Sequence, residues 1–227
     1  MRRILFPLIF GLTGTAILLG LGVWQLQRMV WKQAVIAEID SRISAPPVAL
    51  PETPDPVRDK YLPVIVRGTI LPSELRVLVS VRPIGPGYRL IAPFELENGR
   101  RIMIDRGFVP MVDKDKPRIG GPAEIVGNLH WPQEVDMFIP DPDLAANVWF
   151  ARDVPVMAAA LGAEPVLLIA KTRTDPDVMP LPVNTARISN NHLQYAATWF
   201  SLAVIWIAMS AYMLWRGRAA AQTVAES

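Results

Sequence analysis

Cysteine is absent from this chain, and that absence removes disulfides, thiolate-bound zinc, iron–sulfur clusters and covalent c-type haem attachment. Histidine is almost absent. With only His130 and His192, a multi-histidine metal site within one chain is not expected. An excess of one charge is lacking too: 23 Lys and Arg face 21 Asp and Glu, so nothing points to a nucleic-acid partner. Hydrolase, kinase and nucleotide signatures are also missing. Gly85-Pro86-Gly87 is no phosphate cradle, because Pro86 has no N–H and no Lys-Ser/Thr follows. Ser, His and Asp occur, but in no local nucleophile motif, so a non-enzyme is expected.

What the sequence does contain is apolar and unevenly spread. Ile4–Gln27 holds 24 residues without a charge, and Ile188–Trp215 holds 28. A helix rising about 1.5 Å per residue crosses a hydrocarbon core about 30 Å thick in roughly 20 residues. Both runs qualify as transmembrane helices. A signal peptide is the other reading of the first run, but no A-x-A cleavage site follows it. Gly11/Thr15, Ala16/Gly20 and Ala197/Ser201 are small residues at i,i+4 spacing that would let the spans pack closely.

Orientation follows from the flanks. Arg2 and Arg3 precede the first run, while Arg216 and Arg218 follow the second, which predicts both termini on the cytoplasmic side. Setting aside those cations and Glu226 leaves 19 basic and 20 acidic residues in the exported part, which is nearly neutral. No transit-peptide pattern precedes the first run, so a multi-pass protein of a bacterial cell inner membrane is expected, with a periplasmic middle.

Between the runs, helical periodicity in Leu26, Met29, Val30, Ile36, Ile39 and Ile43 carries the first helix past the membrane. It should stop near Ala45, where "APPVALPETPDP" places five prolines in twelve residues. Of 22 prolines, 21 lie between Pro46 and Pro182, which rules out a helix bundle there. Strands are predicted at 61–70, 75–84, 88–96, 100–109, 123–131 and 164–172. Gly85-Pro86-Gly87 and Glu97-Asn98-Gly99 read as hairpin turns. Asp153 can cap one short helix, "VPVMAAALG", with Pro155 in its first turn and Gly162 past its end.

The fold class is therefore a membrane protein: two transmembrane helices flanking a mainly antiparallel β (α+β) extracytoplasmic domain with one short helix. Its expected divisions are a first span to residue 27, a helical extension over 28–45, and a periplasmic β-rich domain over 46–187. A second span over 188–215 and a cytoplasmic tail over 216–227 complete it.

This topology puts two polar clusters at one depth. Trp24, Gln25 and Arg28 close the first span, and Asn190, Asn191, His192, Tyr195 and Trp199 open the second. His192, Tyr195 and Trp199 are spaced i, i+3 and i+7, on one helix face. Interfacial aromatic belts and snorkelling account for Trp24, Trp31, Trp199 and Arg28 without a ligand, and Asn190 can serve as a helix cap. They account for His192 less well. A neutral imidazole can hold haem iron, flat aromatics can line a macrocycle and Arg28 can pair with propionates. One histidine leaves the iron five-coordinate or dependent on a ligand from elsewhere. Arg106 and Gly107, in "IDRGFVP", read as a bulge or tight strand exit with a salt bridge, or else as a cation aimed at a partner.

These residues resemble the Surfeit-locus-one family, called Shy-one in yeast, of cytochrome c oxidase assembly factors. "LGVWQLQRMVWK" (21–32), "YLPVIVRG" (61–68), "GPGYRLIAPFEL" (85–96) and "DRGFVP" (105–110) carry the resemblance. So do "NVWFARDVPVMAAALGAEPVLL" (147–168) and "NNHLQYAATWFSLA" (190–203). The resemblance implies two spans around an exported domain and a role in maturing the oxidase's catalytic subunit. It further implies that haem a is received and passed on, with His192 as the ligand, and that loss of Tyr195 or Gly107 impairs assembly. Haem A synthase would be the donor, cytochrome c oxidase subunit I the acceptor, and the lipid bilayer the setting. A haem-free scaffold that holds the nascent subunit is the alternative.

Overall fold

The computed structural model describes residues 2–186 and 188–225. The side chains of Arg2, Arg3 and Arg218, three of the four cations on which the expected orientation rests, lie outside what is described, as does Glu226. The elements in chain order are α1 (Arg2–Ile43), β1 (Val48–Ala49), β2 (Pro63–Ile70), β3 (Leu75–Val81), β4 (Gly85–Leu96) and β5 (Arg101–Pro110). There follow β6 (Gly121–Leu129), β7 (Val148–Trp149), α2 (Val154–Leu161), β8 (Leu167–Ala170) and α3 (His192–Ala225). The chain divides into two compact units, one made of residues up to Glu38 with those from Ala186, the other of Ile39–Thr185.

In the first unit, α1 and α3 are each long and apolar enough to cross a membrane. Their large side chains, such as Phe6, Phe10, Val204 and Met213, are exposed, whereas the core helix of a soluble protein would bury them. α3 starts at His192, inside the apolar run that opens at Ile188.

The second unit is a small closed barrel. β2 pairs with β6, β6 with β8, β8 with β5, β5 with β4, and β4 returns to β2 through Gly68↔Leu96 to Ile70↔Phe94. All these pairings are antiparallel except β5 with β8, so the sheet is mixed, while β3 and β7 extend it beyond β4. Alternate residues point inward, as the two-residue strand period requires: Val64 and Val66, Ala92 and Phe94, Ile102 and Ile104, and Leu168 and Ala170. Side chains such as Phe94 and Leu168 are fully buried, and each contributes about 1.5–3 kcal/mol. The opposite face of β4, β5 and β8 is also covered, because Val154, Met157 and Leu161 of α2 lie on Ile91, Met103 and Leu167. Burial on both faces explains the unbroken apolar run of β8.

α2 forms as its sequence predicts. The Asp153 carboxylate accepts from the Val156 N–H at 3.3 Å, and Gly162 closes the helix at φ 61°. The turn at Glu97-Asn98-Gly99 is also present, its Gly99 N–H donating to the Leu96 carbonyl at 2.9 Å. Gly85-Pro86-Gly87 is not a turn. It lies inside β4, opposite Val79–Val81, and the chain reverses at Arg82-Pro83-Ile84 instead. The glycine there serves strand packing, since a Cβ on Gly87 would sit 2.6 Å from the Phe108 ring.

The last turn of α1 belongs to the barrel unit. Lys171 Nζ (2.6 Å) and Asn128 Nδ2 (3.2 Å) donate to the Ile43 carbonyl, one of the groups that every helix end leaves unpaired. The Thr185 hydroxyl donates to Asp40 at 2.8 Å, so the chain enters and leaves this unit side by side.

"DRG" is a β-bulge. Leu90 pairs with Gly107 and Ile91 with Asp105, which leaves Arg106 as the extra residue. Gly107 adopts φ +119°, and a Cβ there would collide with the Met179 carbonyl. That carbonyl accepts from the Phe108 N–H at 2.7 Å, tying the 174–181 segment to the barrel. Gly107→Ala should therefore destabilise the protein by about 2–4 kcal/mol, from backbone strain plus displacement of Met179. Thermal unfolding in detergent measures this, and a melting temperature equal to wild type would refute the account.

His130 is held neutral. Its ring stacks on Tyr61, with centroids 5.3 Å apart, and its Nδ1 is buried with no partner among the described residues. Burial first, then the charges of Arg152 and Lys60, push its pKa down to about 4. The unfolded imidazole takes up a proton near 6.5, before the folded one can. Stability is therefore full above that value, falls between about 6.5 and 4, and loses no more from this group below. The loss should be on the order of 2–3 kcal/mol, and His130→Gln should flatten it. Denaturation series of both proteins across that window decide; identical pH dependence would contradict the assignment.

Candidate functional site

The site is built on the contact between α1 and α3. Gly11 meets Ser210, Gly14 meets Trp206, and Gly22 meets Phe200, in opposite order along the two helices, which are therefore antiparallel. Trp206 Nε1 donates to the Gly11 carbonyl at 3.1 Å, and a Cβ on Gly22 would come within 2.6 Å of the Phe200 ring. Glycine opens a groove in α1 that these two rings fill.

Of the small residues predicted to line this contact, Gly11 lies on it, while the Thr15 hydroxyl donates to the Gly11 carbonyl within α1. Ala16, Ala197 and Ser201 are exposed, and a Cβ on Gly20 would meet nothing within 4 Å. Ala196 and Ala203 are buried instead. Small residues at i,i+4 spacing can fall on any face of a helix. The bulky side chains of the partner helix select which face is used.

Gln25 continues the stripe of Gly11, Gly14 and Gly22, and His192 lies one turn before Ala196 on α3. There the apolar contact becomes polar. Gln25 is buried, and its Oε1 lies 2.8 Å from His192 Nδ1. An amide enclosed by two apolar helices is costly unless it is bonded, and the imidazole supplies the bond. An amide oxygen only accepts, so Nδ1 is the donor, and in the neutral ring the lone pair then lies on Nε2. A second group of this kind, fixing the tautomer from Nδ1, is what orients a histidine whose Nε2 binds a metal.

The other predicted residues are placed less tightly. Trp199 is half-buried on the face of His192, whereas Tyr195 and Trp24 are 57% and 53% exposed. Among the described residues, none of these three rings stacks on another ring. Arg28 is exposed, its guanidinium carbon 4.0 Å from the centre of the Trp31 ring in a cation–π contact. The Asn191 carbonyl accepts from the Tyr195 N–H at 3.3 Å and starts the helical bonding of α3. Asn190 does not cap the helix by its side chain, because its Oδ1 is buried and unpartnered among the described residues. Among the described residues, no group of three or more His, Asp or Glu could hold a metal ion.

Arg106 and Gly107 belong to the barrel unit. Arg106 is 2% exposed. It donates to the Ile119 carbonyl at 2.7 Å and to Thr174 Oγ1 at 3.1 Å, and its Nη2 lies 3.6 Å from Asp175. Burial pushes its guanidinium pKa down, against the pull of Asp175. The neighbouring Asp105 pairs not with Arg106 but with Arg89, at 2.6 Å, and lies 3.5 Å from Arg152. Those pairings cross long stretches of sequence, and nothing local signalled them.

A model of the SURF1 family matches residues 12–204. "Surfeit locus protein 1" of Homo sapiens is 31% identical over 208 residues, covering 81% of this chain and 69% of that protein. The Mus musculus protein of the same name is 30% identical, covering 81% and 67%. A "SURF1-like protein" of Monosiga brevicollis is 32% identical over 219 residues, covering 87% and 84%. The match takes in α1 from residue 12, α3 as far as residue 204, the barrel strands and the Gln25–His192 pair, and on it this chain belongs to the SURF1 family.

Proposed function

We propose that this chain is an assembly factor for cytochrome c oxidase that binds haem a through His192 and passes it to subunit I. The observation that carries this reading is the 2.8 Å contact of His192 Nδ1 with Gln25, which leaves Nε2 as a ligand-ready nitrogen. His192 would hold the iron by a single bond, and the other histidine of the chain, His130, belongs to the barrel unit. Haem, when bound, would supply an iron open to ligand exchange, which suits transfer better than electron transport. Gln25 would hold the tautomer, and Arg28, exposed beside Trp31, would take a propionate. Trp24 and Tyr195, with their exposed rings, and Trp199 would meet the macrocycle. The family relationship supports the assembly role, and two helices apolar enough to cross a membrane support a membrane setting. On this reading the barrel is periplasmic, both termini are cytoplasmic, and the membrane is a bacterial inner one. Haem A synthase is the donor, and the protein is a carrier, not an enzyme.

Two substitutions test the site. Protein purified from cells that make haem a should show a Soret band; His192→Ala should abolish it, and Gln25→Leu should weaken haem affinity about 10–100-fold. An undiminished band in His192→Ala would end the carrier reading.

One observation favours the scaffold alternative. Met137 and Phe138 are 88% and 84% exposed at the tip of a turn where Asp136 Oδ1 accepts from the Phe138 N–H. The base of that loop is fixed by the two-point grip of Arg152 on Glu134. Pinned apolar tips of this kind mark protein contacts. If the scaffold reading holds, replacing both by Ser should cut capture of subunit I at least tenfold in co-purification and leave the haem band unchanged. Unchanged capture would leave the carrier reading alone.

A further inference from the structure

Two turns meet at one end of the barrel unit. The pair Val81↔Gly85 closes the reversal Arg82-Pro83-Ile84, and Gly87↔Pro110 brings Met111 and Val112 beside the start of β4. The large apolar side chains there face solvent: Ile84 is 49% exposed, Met111 41% and Val112 90%. Prolines at 83, 86 and 110 restrict the backbone that carries them, so covering this tip orders little that is free. Cations flank it. Arg82 is exposed and makes no ion pair among the described residues. Lys114 reaches only Asp115, at 4.0 Å. The two acids of the second turn are already taken, Asp113 by Lys116 at 3.0 Å and Asp115 by Arg76 at 2.9 Å.

The barrel unit has a second apolar tip, of the opposite charge. Met137 and Phe138 stand near Asp136 and Asp141, exposed carboxylates that pair with no cation among the described residues. The turn at 111–120 leads into β6 at Gly121, and the Met137 loop follows its other end at Leu129, so the two tips are set off from opposite ends of one strand. Aliphatic side chains on a stiff tip, flanked by cations, are the combination that enters the headgroup layer of an anionic bilayer. A tip flanked by carboxylates is repelled from the same surface. A bilayer is also the surface that this chain meets if α1 and α3, long and apolar enough to span one, do so.

We propose that the end of the barrel unit formed by residues 82–86 and 111–114 docks on an anionic lipid surface. Ile84, Met111 and Val112 enter the headgroup layer, and Arg82 and Lys114 pair with lipid phosphates. The barrel unit is thereby held to the bilayer at a third point, besides its connections to α1 and α3. This inference rests on the membrane setting proposed above.

The chain has no cysteine, so one introduced thiol carries the only label. Val112→Cys, Val57→Cys and Val204→Cys, all at exposed positions, are made in the full chain and labelled with a nitrobenzoxadiazole dye. Each is placed in nanodiscs of phosphatidylcholine and phosphatidylglycerol that contain a doxyl-labelled lipid as quencher. Quenching of at least twofold at 112 and at 204, but not at 57, is expected. Adding Arg82→Gln and Lys114→Gln, or omitting phosphatidylglycerol, should remove it at 112 and leave it at 204. Quenching at 204 alone overturns the proposal and leaves the membrane setting standing. An unquenched label at 204 removes the membrane setting and the proposal with it. Equal quenching at 112 and 57, or quenching at 112 that neither the double substitution nor the lipid change weakens, also overturns it.

Discussion

The barrel unit depends on one carboxylate. Asp105 is fully buried, and an unpaired charge there would be untenable; burial raises its pKa while Arg89 and Arg152 pull it back. Each of its partners then does a second task. Arg89 donates to the Leu181 carbonyl at 2.7 Å and so fixes the segment leading out of the barrel. Arg152 grips Glu134 and so fixes the loop that displays Met137 and Phe138. The other Asp105 oxygen accepts from the Gly107 N–H at 3.1 Å and shapes the bulge. One buried ion cluster thus couples a strand of the wall to two distant segments, and removing a single partner of such a cluster typically costs about 3–5 kcal/mol.

The helical unit follows a simpler rule. Glycines in α1 admit the rings of Trp206 and Phe200, and that close fit carries the packing down to Gln25 and His192. A polar pair set in an apolar contact is bonded because the alternative is an unsatisfied amide. The same bond that satisfies Gln25 fixes which imidazole nitrogen is free. Structure and proposed chemistry are here one interaction.

Much of this was legible in the residues. Proline crowding separated the helices from the β region, period-2 alternation located the six main strands to within a few residues, and Asp153, Pro155 and Gly162 bracketed α2. Gln25 and His192 were legible as candidates because an amide and an imidazole stand at the ends of uncharged runs. Gly85-Pro86-Gly87 misled, because glycine and proline signal a turn and a strand edge alike, and only the Phe108 ring shows which need is met. Barrel closure was not legible, since the pairing of β4 with β2 is a property of sheet curvature and not of either strand's pattern.

The sequence alone determined what local chemistry and periodicity can express: two long apolar helices, a proline-punctuated β region, one capped helix, and a polar cluster at the helix ends. Tertiary structure decided everything that needs partners distant in the chain. It chose which glycines face α3, which arginine serves Asp105, which nitrogen of His192 is free, and where β4 closes the barrel. The physical reason is range. Backbone propensity and side-chain period act over a few residues, whereas burial, charge pairing and close packing act between surfaces that exist only once the chain has folded.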